Sequence, residues 1–160
     1  MGDACVRVAV LGIGNELSGD DGVGVCVARD LARRLGPHAG CLVLEAGTAP
    51  ENFTGVVRRF RPDLVLLVDA AHLGVDSGTV YWLDWEQTEG LGSSTHTLPP
   101  SVFGRFLVKE FACRLALLVV QPAQLEFGRP LSAAVAAAAS RVVDGLLTAL
   151  GRPSSGQDGP

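Results

Sequence analysis

The chain has 160 residues, 48 % of them hydrophobic and 19 % charged, with a net charge of −4, which is the size and balance of one domain with a full core. Lys109 is its one lysine and no basic stripe is visible, so nucleic acid is not an expected partner. No apolar run approaches bilayer-spanning length and the opening residues lack a basic-then-apolar leader pattern, so no membrane and a cytoplasmic setting are expected.

The first apolar run, Val6 to Leu11, reads as a strand and enters a glycine-rich turn, Gly12 to Gly24 (GIGNELSGDDGVG). Val23, Val27, Leu31 and Leu35 then give an amphipathic helix stopped by Gly36 and Pro37. Cys41 to Leu44 has the short, non-periodic look of a buried parallel strand. Thr48 and Glu51 have capping-box spacing, which predicts a second helix ending before Pro62. Leu64 to Val68 is a third strand closing on Asp69, and Thr79 to Leu83 a fourth. The link between these two is shorter than the roughly one dozen residues a parallel crossover needs, so an antiparallel hairpin is expected.

A polar segment from Glu86 to Thr97 contains His96. Ser101 is placed to cap a third helix carrying Phe103, Phe106, Leu107 and Phe111. Leu115 to Val120 is a fifth strand ending at Gln121-Pro122, and Ser132 is placed to cap an alanine-rich helix reaching Leu150. Residues 151–160 read as a flexible tail, leaving a single domain over 1–150. Alternating strands and helices give an α/β chain: a three-layer α/β/α domain on a twisted, mostly parallel five-stranded sheet with one antiparallel strand. Four scattered cysteines without a CxxC pair read as lone buried thiols, Cys26 among them as a core residue.

In doubly wound folds the first and third strands often lie side by side, and ligands bind at their carboxyl ends. Those ends carry Asp20, Asp21 and Asp69. One aspartate of the pair, Asp20, is expected to cap the following helix, which leaves Asp21 for the crevice. Asp69 follows five apolar residues, where an unpartnered charge is expensive to desolvate. With His96 these carboxylates form a three-point set suited to zinc, nickel or manganese rather than calcium. His72 reads as a bystander and His38 as solvated. Glu51, Asn52 and Gln121 lie on the same sheet edge and are secondary candidates.

Three other readings fit less well. A dinucleotide site wants G-x-G-x-x-G, but Leu17 stands at the third glycine and the acidic pair occupies the pyrophosphate position, although Glu45 imitates the ribose-binding acid. A phosphoacceptor receiver domain needs a lysine after strand five, where Gln121-Pro122 stands. A serine hydrolase needs G-x-S-x-G, which is absent from the sequence.

The ordered set G-x-G-N-x-L-x-x-D-[DE]-x-x-G (Gly12 to Gly24), G-[ST]-A-P-E (Gly47 to Glu51), V-D-A (Val68 to Ala70), T-H-x-x-P (Thr95 to Pro99) and Q-P (Gln121-Pro122) resembles the [NiFe]-hydrogenase maturation endopeptidases. The Ala-Pro-Glu-Asn wording looks most like the branch serving formate-hydrogenlyase-type hydrogenases. The resemblance implies an endopeptidase that removes the C-terminal extension of a nickel-loaded large-subunit precursor, cutting after a basic residue downstream of the last metal-binding Cys-x-x-Cys. It implies Asp21, Asp69 and His96 as both metal-binding and catalytic residues, with nickel supplied by the substrate and zinc or cadmium able to occupy the site. It also implies a monomer. The metal either polarises the scissile carbonyl or a water, or positions the substrate while a carboxylate such as Asp21 acts as base. The competing class is a non-enzymatic metallochaperone or metal-sensing module on the same fold.

Overall fold

A computed structural model describes residues 5–85 and 100–151, with side chains throughout except at 100–103. Five strands form one sheet: β1 (Val8–Ile13), β2 (Cys41–Gly47), β3 (Leu64–Ala70), β4 (Val80–Asp84) and β5 (Arg114–Val120). Their order is β2-β1-β3-β5-β4, parallel except where β4 meets β5. The helices are α1 (Val23–Leu35), α2 (Thr54–Phe60), α3 (Pro100–Phe111) and α4 (Ala133–Leu150), with 3₁₀ turns at Gly19–Gly22 and Pro50–Phe53.

Side chains alternate across a strand, so β1 sends Val8 and Val10 to one face and Ala9, Leu11 and Ile13 to the other. On the first face they join Val23, Val27 and Leu31 of α1 and Val135, Ala138, Val142 and Leu146 of α4. On the second they join Val57 of α2 and Leu107 of α3. Both faces are covered, which is why the central strands are continuous apolar runs. The expected three-layer architecture is the observed one.

Four local expectations change. First, β4 is antiparallel but pairs with β5, Val80 opposite Val120 and Asp84 opposite Ala116. It makes no hairpin with β3, because β1 and β5 already occupy both sides of that strand; the link passes over the end of β5 instead, with Gly78 N–H donating to Gln121 O (2.8 Å) and Gln121 N–H to Thr79 O (2.9 Å). Second, no Thr48 capping box forms: Ala49 is the N-cap of the Pro50–Phe53 turn, without a side-chain bond, and α2 begins only at Thr54. Third, α3 already includes Ser101, so that residue is not its cap. Fourth, α4 is long and apolar enough to cross a membrane by length and composition alone. Its alanines raise that hydropathy, while Val135, Ala138, Val142, Val143 and Leu146 are buried in the core. The Ser132 cap does form, its hydroxyl accepting from Val135 N–H. Cys41 and Cys113 are buried, whereas Cys26 is only partly buried and Cys5 is exposed. The expected tail from 152 onward lies outside the described residues, as does the whole polar segment from Glu86 to Thr97 with His96.

Candidate active site

The site grows from the way β1 and α1 meet. A Cβ on Gly24 would collide with the carbonyl oxygens of Val68 and Ile13, so only glycine lets the first turn of α1 lie directly on the carboxyl ends of β1 and β3. Gly14 has a φ of +131°, and its N–H donates to Gly47 O (3.0 Å), tying the loop after β1 to the end of β2. Between these two glycines Asn15 builds the turn. Its Oδ1 accepts from Leu17 N–H (3.0 Å), its Nδ2 donates to Ser18 Oγ (3.3 Å), and its carbonyl accepts from Ser18 N–H (3.1 Å). The Asn15 N–H then donates to Asp21 Oδ2 at 3.0 Å.

Asp21 and Asp69 are both buried, at 4 % and 8 % exposure, and both stand against Gly14. A Cβ there would overlap the Asp21 carbonyl oxygen and lie 3.7 Å from Asp69 Oδ1. Asp69 Oδ1 also accepts from Ala70 N–H (2.8 Å). Burial pushes the Asp69 carboxyl well above the ordinary carboxylate range; the Ala70 hydrogen bond opposes that shift and the Asp21 charge adds to it. A buried carboxyl beside a second one favours the uptake of positive charge, whether a proton or a cation.

Asp20 differs from its expected role. Neither the 3₁₀ turn, whose N-cap is Ser18, nor α1, whose N-cap is Gly22, is capped by a side-chain hydrogen bond. The Asp20 carboxylate is completely buried and accepts instead from Ala123 N–H, Gln124 N–H and Ser132, far along the chain. No local pattern around Asp20 announces such a partner, although Ser132 is legible as a cap.

His96 lies outside the described residues, and among the described residues no three His, Cys, Asp or Glu side chains gather as a metal site. His72 and His38 are exposed, and so are Glu51 and Asn52. Gln121 is buried at the same sheet edge, its Oε1 accepting from Leu73 N–H (2.6 Å), so it braces the strand ends. Glu45 is paired with Arg29 (2.6 Å), which also holds Glu16 of the glycine-rich loop (2.5 Å).

The chain matches the HycI hydrogenase maturation protease family model over residues 25–149. A Methanocaldococcus jannaschii protein whose name places it among hydrogenase maturation proteases is 32 % identical over 149 residues, 89 % of this chain and 88 % of that one. The hydrogenase 3 maturation protease of Escherichia coli K12 is 32 % identical over 124 residues, 77 % of this chain and 78 % of that one. The crystal structure of the [NiFe] hydrogenase maturation protease HycI from Thermococcus kodakarensis superimposes with a TM-score of 0.85 at 31 % identity, covering 94 % of this chain and 96 % of that one. By sequence and by fold, the chain belongs to the hydrogenase maturation protease family.

Proposed function

We propose that the protein is an endopeptidase that removes the C-terminal extension of a nickel-loaded [NiFe]-hydrogenase large-subunit precursor, and that Asp21, Asp69 and His96 read the nickel carried by that substrate. The observation that carries this reading is the buried Asp21–Asp69 pair at the strand ends of a chain in this family. His96 completes the set through the T-H-x-x-P motif. The match to the HycI model and to a hydrogenase 3 maturation protease supports a hydrogenase large-subunit precursor as the partner, and the Ala-Pro-Glu-Asn wording at Ala49–Asn52 is our ground for a precursor of the formate-hydrogenlyase type. The acidic balance and the absence of a basic stripe fit action on protein rather than nucleic acid, and the reading takes the protein as a cytoplasmic monomer.

Nickel is part of the substrate in this reading, and when bound it supplies electrophilic activation or placement of the scissile bond. The chain supplies fixed carboxyls. The Asn15 N–H holds Asp21 Oδ2, and the Ala70 N–H holds Asp69 Oδ1. In this reading Asp21 takes a proton from an attacking water, while Asp69, starved of solvent, favours an incoming positive charge. Cleavage of nickel-loaded precursor by the wild type and its loss in Asp21→Ala, Asp69→Ala and His96→Ala test the reading. Activity retained in all three variants would overturn the site. A precursor of unchanged mass that binds tightly would mark a metal-sensing binding module instead.

A further inference from the structure

One residue before Asp21, the chain is fastened to a segment more than a hundred positions away. Asp20 is fully buried, and its two oxygens accept four hydrogen bonds. Oδ1 takes Ser132 N–H at 2.6 Å; Oδ2 takes Ala123 N–H at 2.8 Å, Gln124 N–H at 3.1 Å and the Ser132 hydroxyl at 2.9 Å. The same Ser132 Oγ accepts from Val135 N–H and so caps α4. The backbone follows the side chain: Asp20 N–H donates to Gln124 O (3.0 Å), Gly128 N–H to Leu17 O (2.7 Å), and Ser18 bridges Phe127. The connection from β5 to α4 thus clasps the 17–20 segment from outside.

We infer that Asp20 is a positioning residue for Asp21: by anchoring the 3₁₀ turn to the N-terminus of α4, it fixes the Asp21 carboxylate against Asn15 N–H and beside Asp69. This rests on Asp21 belonging to the active site. The turn is rich in glycine, and its internal bonds, such as Asp21 N–H to Ser18 O (3.1 Å), set only its local shape. The link to α4 sets where that shape stands relative to β3. A carboxylate is required, not merely a side chain of that size, because all four partners are donors. An asparagine would turn an NH₂ toward at least one N–H, donor against donor.

The test compares wild type with Asp20→Asn, Ser132→Ala and Ser132→Thr. The first readout is independent of cleavage: the Asn15 amide resonance and its hydrogen exchange, because that N–H binds the Asp21 carboxylate. In Asp20→Asn this amide is expected to shift and lose protection at least 10-fold while β1 and β3 amides keep theirs. Ser132→Ala is expected to show a smaller change of the same kind, and Ser132→Thr, which keeps the hydroxyl, wild-type behaviour. Ser132→Ala carries the test if Asp20→Asn does not fold. The second readout is steady-state cleavage of nickel-loaded precursor, measured well below each variant's melting temperature. There kcat should fall about 100-fold in Asp20→Asn, as misplacement of a reacting group by about 1 Å produces, with KM within a few-fold of wild type. A folded Asp20→Asn chain with an unmoved Asn15 amide overturns the inference, and so does a kcat loss that disappears in proportion to the folded fraction. If wild type cleaves nothing, the proposed function fails, and the amide readout still decides whether Asp20 positions Asp21.

Discussion

Gly14 and Asp69 meet at the carboxyl ends of adjacent strands, where a Cβ on the glycine would lie 3.7 Å from Asp69 Oδ1 and inside the Asp21 carbonyl oxygen. The two aspartates can share one site because this position has no side chain. The Gly14→Ala variant must displace the Asp21 backbone and also strain a φ of +131°. We expect a stability loss of about 1–3 kcal/mol, the usual range for overpacking, and a fall in kcat of at least 10-fold. Denaturant melts and precursor cleavage by the same preparation measure both; an alanine variant with wild-type kcat contradicts this geometry.

Asp69 gives the metal-free protein a specific pH signature. Its folded-state pKa is raised above the ordinary value of 3.8, so across the window from that value up to the folded pKa the native state binds more protons than the unfolded chain. Stability therefore falls as pH rises through this window, and the cost is constant above it. Asp69→Asn removes the ionisation. The melting temperature of Asp69→Asn minus that of wild type, both treated with chelator, should rise across the window and then level off. A difference that does not change with pH refutes the assignment.

Gly145 offers the opposite case. It is an exposed position inside α4 with nothing within 4 Å of an added Cβ. Gly145→Ala should stabilise the protein by about 0.5–1 kcal/mol through helix propensity and unfolded-state entropy, with cleavage unchanged. A loss of stability would mean that α4 is not seated as described.

Much of this molecule is legible in the chain because the central strands are buried on both faces and must be continuous apolar runs. Asp69 stands out for the same reason: a charge directly after Leu64–Val68 has no cheap explanation. The less legible parts depend on distant partners. Nothing near Thr79–Leu83 says that β3 already has a neighbour on each side, so the short link suggests a hairpin where the sheet places β4 on β5. Likewise a cap is the economical reading of Asp20, because the donors that claim it lie in residues 123–132. The Glu16–Arg29–Glu45 group was hidden similarly: its members are far apart in sequence and meet only once α1 lies beside β2.

That exposed group also yields a prediction. Arg29, Glu16 and Glu45 are each about half exposed, and surface ion pairs of this kind contribute roughly 0–1 kcal/mol. Arg29→Ala should therefore cost no more than about 1 kcal/mol, less at 1 M salt than at 0.05 M, where the screening length is several times longer. A larger, salt-independent loss in denaturant melts would show that the group supports the glycine-rich loop by packing instead.

Intact-mass spectrometry of the large-subunit precursor tests the claim that the protein cleaves a substrate carrying its own nickel. Purified protein, treated with chelator and then freed of it, is incubated with nickel-loaded and nickel-free large-subunit precursor. We predict that the nickel-loaded precursor loses one discrete C-terminal peptide, that the nickel-free precursor keeps its mass, and that Asp69→Ala protein cleaves neither. A nickel-loaded precursor that binds the wild-type protein tightly yet keeps its full mass would contradict the claim.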